Sequence, residues 1–346
     1  MYHLIDELFR GKLIRTVPLQ IEIGDPVAEN IYSDFILISG RISRFDFYKD
    51  GGPFGRSTSR SEWIKKISVS QYHYPSKEEV LVDFNSKIGG FQDLLTGSCK
   101  FKILKMLGPT ETAESFCASK VPANYYFMGN IYHQFDFSYL CEARPQEAEE
   151  LHNTISDYII YVIKNSEHIE LFDAVRVADD IFGYQGYLYP PGFIREVWRR
   201  NHEGIAKTIR ERGKHPILHT DGDLAGEFEF INDVYSGVHP LDLACKNSYR
   251  ELLKWLRVIQ EFMEKSKLVF FTGLPINFLY GESGKFEVLK KFIRKHLLKL
   301  GYGRLVASTT HRPYSSIDVN SEYIKNRYKE IKKIFTEFNR FRLGSL

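Results

Sequence analysis

A chain of 346 residues with 43% hydrophobic and 26% charged side chains has room for one large α/β barrel or two medium domains, with a substantial buried core. Lys and Arg number 47 against 44 Asp and Glu, and a net charge of +3 over so large a surface carries no nucleic-acid or membrane signature. Cys99, Cys117, Cys141 and Cys245 lie far apart without a CxxC pair, which argues against a disulfide framework and a thiolate zinc site, and makes a reducing cytoplasm the expected location.

The first ten residues place Asp6 and Glu7 within an apolar pattern, so they read as an amphipathic helix, not a signal peptide. No apolar run approaches the roughly 18 residues of a membrane span. Residues 16–23 alternate apolar and polar and stop at Gly24, Asp25 and Pro26, a strand closed by a turn. Residues 31–38 give a second strand and 45–48 a third short extended piece. Residues 50–60, rich in Gly and Ser, read as a surface hairpin loop, or else as a phosphate-binding segment or a lid, within an insertion at about 40–75. A strand over 101–107 ends at Gly108 and Pro109, with Thr110 placed to cap a helix that begins at Glu111.

A helix over about 145–164 leads to a strand over 173–178 that ends on Asp179 and Asp180. These acids either bind a substrate, cofactor or metal, or cap the next helix. Pro190 and Pro191 open a helix in which Ile194, Val197, Trp198, Ile205 and Ile209 recur at helical spacing until Gly213. Pro216, Ile217 and Leu218 then make a brief apolar strand, buried on both faces, that stops on His219, Asp221 and Gly222. In extended chain the two-residue spacing puts His219 and Asp221 on one side. The competing reading has His219 bonding a nearby loop and Asp221 with Gly222 making a turn. Further strands end near His239, at Gly273, and just before His311. Helices are expected over about 227–234, 248–265, 286–300 (ending at Gly301) and 321–338. Gly281 to Lys285 lacks the glycine spacing of a phosphate loop.

Strands near residues 17, 34, 102, 174, 216, 237, 268 and 304 make eight, mostly separated by helices, the pattern of a single-domain α/β protein built as a (β/α)8 TIM barrel. A doubly wound sheet has no support, because no GxGxxG follows the first strand. Such a barrel aims its C-terminal strand ends at one pocket, so His219, Asp221, His239 and His311 are expected to line an active site.

Several pieces in this order resemble the uroporphyrinogen decarboxylase superfamily. They are Gly108 with Pro109, the segment 179–190, His219 through Gly222, Gly237 through Pro240, Thr272 through Pro275, and Ala307 through His311. Tyr32, Ser33 and Asp34 before Phe35, Ile36 and Leu37, then Gly51 through Pro53, are similar to the decarboxylases' F-S-D-I-L and G-P elements. The resemblance covers most of the chain, most clearly about 101–335. It implies a (β/α)8 barrel, places Asp34 where a catalytic aspartate binds pyrrole NH groups, and allows a homodimer.

The departures from the decarboxylases bear on function. Their arginine-bearing stretch after the first strand reads Ile21 through Pro26 here, and the serine of the fourth-strand loop is Gly183. A polycarboxylate substrate would then lack its charge partners, unless Arg41, Arg44 or Arg56 supplies them. In the superfamily's cobalamin-dependent methyltransferases, a zinc is held by His-x-Cys after the fifth strand and a Cys after the eighth. The resemblance therefore implies a zinc held by His219, Asp221 and His311, with His239 completing or supporting it. Tyr184, Gln185 and Tyr187 are expected wall residues. Three readings follow. The first is metal-assisted methyl transfer or demethylation of a small molecule, with a corrinoid (cobalamin) or thiol partner, the corrinoid supplied by a corrinoid protein. The second is decarboxylation by Asp34 and His311 without metal, and the third is a non-catalytic tetrapyrrole- or corrinoid-binding barrel. The missing arginines favour the first.

Overall fold

The computed structural model describes residues 1–40, 42, 74–118, 131–183, 186–242, 246–300 and 303–344. The insertion expected at about 40–75 with its strand at 45–48, Arg41, Arg44, Arg56, Tyr184, Gln185, Cys245 and the helix end at Gly301 fall outside them. Eight parallel strands form one sheet: β1 Leu19–Gln20, β2 Phe35–Ser39, β3 Phe101–Leu107, β4 Ala174–Ala178, β5 His215–Thr220, β6 Gly237–Pro240, β7 Val269–Leu274 and β8 Leu305–Thr309. The spatial order is β1, β8, β7, β6, β5, β4, β3, β2, so the chain's first two strands meet at the two ends of the ladder and nearly close a (β/α)8 barrel. All eight expected strands are present.

The seam between β1 and β2 is made mostly by side chains, with one backbone bond among them. The Leu19 N–H donates to Asp34 Oδ2 (2.9 Å), the Asp34 N–H to the Leu19 carbonyl (2.8 Å), and the Ile21 N–H to Ser33 Oγ (3.4 Å). Higher up, the Glu29 carboxyl accepts from Ile23 N (2.8 Å), Gly24 N (3.0 Å) and Leu37 N (3.1 Å). With the Ile21, Ile23 and Gly24 N–H groups taken by these side-chain acceptors, the strand expected over 16–23 pairs only at Leu19 and Gln20. The start expected for β2 is also corrected. Ile31 and Tyr32 belong to a helix, Pro26–Tyr32, that begins with Pro at its first position and with the Asp25 side chain accepting from Val27 N.

Burial, and then the Glu22 charge, push the Glu29 carboxyl up to about 7 against the pull of its three N–H donors. An acid that holds its proton longer when folded contributes stability that is complete below about pH 4.5 and lost as pH rises through about 7. The difference is roughly 3 kcal/mol. Glu29→Gln should flatten that loss when urea unfolding is followed between pH 4.5 and about 8. A slope equal to that of the parent chain would mean another group carries it.

The helix Tyr2–Phe9 closes the N-terminal end of the barrel. Its Ile5 and Leu8 are fully buried among Phe35, Phe101, Ile103, Ile217, Phe271 and Val306, and Phe9 stacks on Phe101 (5.3 Å) and His215 (4.5 Å). The lower barrel is thus a solid apolar plug, each fully buried large side chain stabilising it by about 1.5–3 kcal/mol. Outside, amphipathic helices cover the strands. In Pro145–Asn165, Leu151, Ile155, Ile159 and Val162 recur every three or four residues and are buried. No helix among the described residues is long and apolar enough to cross a membrane.

Candidate active site

Register fixes which side chains share a height. His219 pairs with Ala178 on one side and His239 on the other, and Lys105 pairs with Arg176 two residues lower. Above the apolar plug the barrel therefore carries a charged layer, and above that a pair of histidines. Arg176 is 1% exposed, with its Nη2 2.6 Å from Glu22 Oε2, while Lys105 Nζ lies 3.3 Å from Glu22 Oε1. Burial alone would push the Glu22 carboxyl up, but Arg176 and then Lys105 hold it well below the usual range. Among the described residues, the Arg176 Nε and Nη1 groups have no hydrogen-bond partner.

His219 and His239 are both buried and lie 2.6 Å apart, Nδ1 to Nδ1, and His239 Nε2 lies 2.9 Å from the Thr309 carbonyl. Burial, then the positive charges of Lys105 for His219 and of Arg176 for His239, keep the pKa of each well below that of a free imidazole, so both rings are neutral. A carbonyl only accepts, which assigns the His239 proton to Nε2 and leaves its Nδ1 to accept from His219 Nδ1–H. The His219 Nε2 lone pair is then the end of the relay.

That lone pair meets two loops. Asp221 and His311 each offer an atom that, with one from His219, makes a set lying mutually within 4.8 Å. His311 Nε2 lies 3.4 Å from Asp221 Oδ2 and 3.8 Å from Asp242 Oδ2, and Asp180 Oδ1 is 4.0 Å from His219 Nε2. The other Asp221 oxygen, Oδ1, is buried without a partner among the described residues. Burial first, then the charges of Asp180 and Asp242, push the Asp221 carboxyl well up, which is the state of a carboxylate set short of a cation. Two imidazoles and a carboxylate with one orphaned oxygen fit a zinc ion in ligand type and number, with coordination left for a substrate.

Backbone geometry delivers these groups. Gly222, at φ +83°, makes the turn after Asp221, and a Cβ there would stand 2.6 Å from the Gly183 carbonyl oxygen. Gly108 at the end of β3 leaves room for Asp179, whose Cγ would lie 2.6 Å from a Cβ.

Asp179 and Asp180, adjacent in sequence, part company. Asp179 is fully buried and saturated: Glu111 N–H (2.9 Å), Trp198 Nε1–H (2.9 Å) and His202 Nε2 (2.8 Å) all reach its carboxylate. Asp179, not Thr110, therefore caps the helix Pro109–Ala118, while Thr110 Oγ1 faces His152 Nε2 at 3.2 Å. The helix expected from Pro190 and Pro191 forms as Pro191–Phe193, a π-helical turn Ile194–Trp198 and Arg199–Glu211, and Trp198 and His202 meet Asp179 from it. Asp180 accepts from Asp221 N–H (3.0 Å), and burial, opposed by that bond, pushes it up to about 6.

Tyr187 sits in a short hairpin, Phe182–Gly183 with Gly186–Tyr187, and its hydroxyl donates to Glu227 (2.8 Å). Asp34 precedes β2 and so lies at the barrel's opposite end, bonded to Leu19. The structure brings together His219, Asp221, His239, His311 and Asp180, and leaves Asp34 about a strand's length away. Glu22, Lys105, Arg176 and Asp242 join the site without having been expected there. A lone arginine inside the apolar run Ala174–Ala178 is the sequence signal that points to a buried charge layer.

No protein-family model and no curated protein matches the chain. Among solved structures, the fold is similar to that of a methyltransferase from Methanosarcina mazei, at 11% identity over 96% of each chain and a TM-score of 0.57. Dispersin B is also matched, at 11% identity, over 95% of this chain and 99% of that one, with a TM-score of 0.40. The likeness to the methyltransferase bears on the barrel fold.

Proposed function

We propose that this chain is a metal-assisted methyl-transfer enzyme that acts on a small molecule, with a thiol or a corrinoid as the other party, and that His219, Asp221 and His311 hold a zinc ion. The observation that carries the reading is the buried, unpartnered Asp221 Oδ1 within a three-residue donor set. When bound, zinc supplies Lewis acidity that lowers the pKa of a coordinated thiol or hydroxyl. One carboxylate in place of two thiolates leaves more of the positive charge on the ion. The chain's own residues prepare the site. Thr309 and His239 fix the tautomer of His219 and aim its Nε2, and burial, helped by the charges of Lys105 and Arg176, keeps both rings unprotonated. The methyltransferase named among the fold neighbours agrees with the reaction class. Decarboxylation by Asp34 and His311 loses support, because the two stand at opposite ends of the barrel and the mouth is richer in carboxylates than in cations.

Protein purified without chelating resin should contain about one equivalent of zinc by elemental mass spectrometry, and His219→Ala and His311→Ala should each lose it. His239→Ala should keep the ligand set but bind zinc roughly 10–100-fold more weakly in chelator competition. A folded parent chain without zinc affinity would overturn the proposal. With zinc present, screening of methyl donors against thiol and corrinoid acceptors decides the reaction.

A further inference from the structure

One group of carboxylates at the barrel mouth has no use in the zinc site. Glu111 and Glu114 lie three residues apart on the helix Pro109–Ala118, which places them on one face, and that helix starts against Asp179 beside Asp180. Glu114 is only 7% exposed, and its Oε1 has no hydrogen-bond partner among the described residues. Among the described residues, no lysine or arginine forms an ion pair with Glu111, Glu114 or Asp180. Lys105, the cation that Glu111 and Asp180 sense, is paired with Glu22. Burial, then Asp180 and Asp179 for Glu111, and Asp179 and Asp180 for Glu114, push both glutamates well above the usual carboxyl range.

Buried acids without a counter-charge hold their protons while the site is empty, and a cationic donor that enters can take the place of those protons and satisfy the open Glu114 oxygen. A second metal ion fits poorly. The only set of three or more metal-ligating groups that converge among the described residues is His219, Asp221 and His311. An ammonium group, with several N–H donors spread around one positive charge, satisfies carboxylates that do not converge on a point.

We infer that Glu111, Glu114 and Asp180 form a subsite for a protonated amine on the substrate, next to the His219 Nε2. This rests on the barrel mouth being the reaction site. Asp180 Oδ1, 4.0 Å from that nitrogen, ties the subsite to the zinc position and sets the amine beside the reacting group. The substrate class is therefore a small amine, not a carboxylic acid.

The test titrates n-butylammonium chloride and 1-butanol, alike in length but differing in charge, into the full chain by calorimetry near neutral pH. Zinc-loaded and chelator-treated protein are compared, and zinc content is measured in parallel. The expected result is binding of the ammonium and not of the alcohol, with affinity reduced at least tenfold in Glu114→Gln and in Glu111→Gln while zinc content stays unchanged. Glu111→Gln decides the matter if Glu114→Gln does not fold. Equal binding of the alcohol, undiminished binding by the folded variants, or loss of a metal equivalent in either variant would overturn the inference. Ammonium binding that persists in a protein without zinc affinity would sink the metal reading and leave the amine subsite standing.

Discussion

Glu22→Gln is expected to lower the free energy of unfolding by about 3–5 kcal/mol, seen as a fall in the urea midpoint at unchanged slope. The substitution keeps the size and shape of the side chain and removes its charge. Arg176 would then be a guanidinium at 1% exposure with no counter-ion, and two of its nitrogens already lack partners. Lys105 is affected less, because its side chain is 22% exposed and can reach water. A control separates the charge from the packing. Glu22→Leu combined with Arg176→Met removes both charges and should cost clearly less than Glu22→Gln alone, since the desolvation penalty of the pair disappears with it. A double variant as unstable as the single one would show that the layer is held by shape and not by charge.

Asp179→Ala should cost about 4 kcal/mol, because it strands three buried donors at once. Glu111 N–H, Trp198 Nε1–H and His202 Nε2 lose their acceptor together. Burial pushes this carboxyl up, but the His202 hydrogen bond and charge hold it below the usual range, so it is ionised at neutral pH. The variant should keep its zinc, since the Asp179 carboxylate bonds none of the proposed ligands, and the Asp179 N–H that donates to the His219 carbonyl (2.8 Å) is retained in alanine. Stability and metal content measured on one preparation distinguish this role from a place in the active site: zinc lost from folded Asp179→Ala would move Asp179 into the site.

The fold was legible because barrel strands carry local signals. Apolar runs punctuated by Gly, Pro or acids located all eight, and the strand-end residues His219, Asp221, His239 and His311 emerged together because parallel strands in register deliver their C-termini to one place. What stayed hidden depends on contacts between distant segments. The Glu22 and Arg176 pair spans 154 residues, and nothing near either one announces the other. Asp179 and Asp180 look equivalent in the sequence, and only the packing of Trp198 and His202 makes one a structural anchor and leaves the other at the mouth. Asp34, carried over by resemblance, precedes β2 and stands at the end of the barrel away from the histidines. The helix Pro26–Tyr32 is seven residues long, too short for periodicity to reveal.

The seam between the first two strands has a consequence for self-association. Where a ladder stops, exposed amide and carbonyl groups usually invite a strand from another molecule, the first step of edge-to-edge aggregation. Here the amides of Leu19, Ile21, Ile23 and Leu37 are already held by Asp34, Ser33 and Glu29, side chains that cannot be displaced without unmaking the molecule's own closure. Among the described residues, those four amides of the seam are thus not open to a strand from a second copy as long as Asp34, Ser33 and Glu29 stay in place.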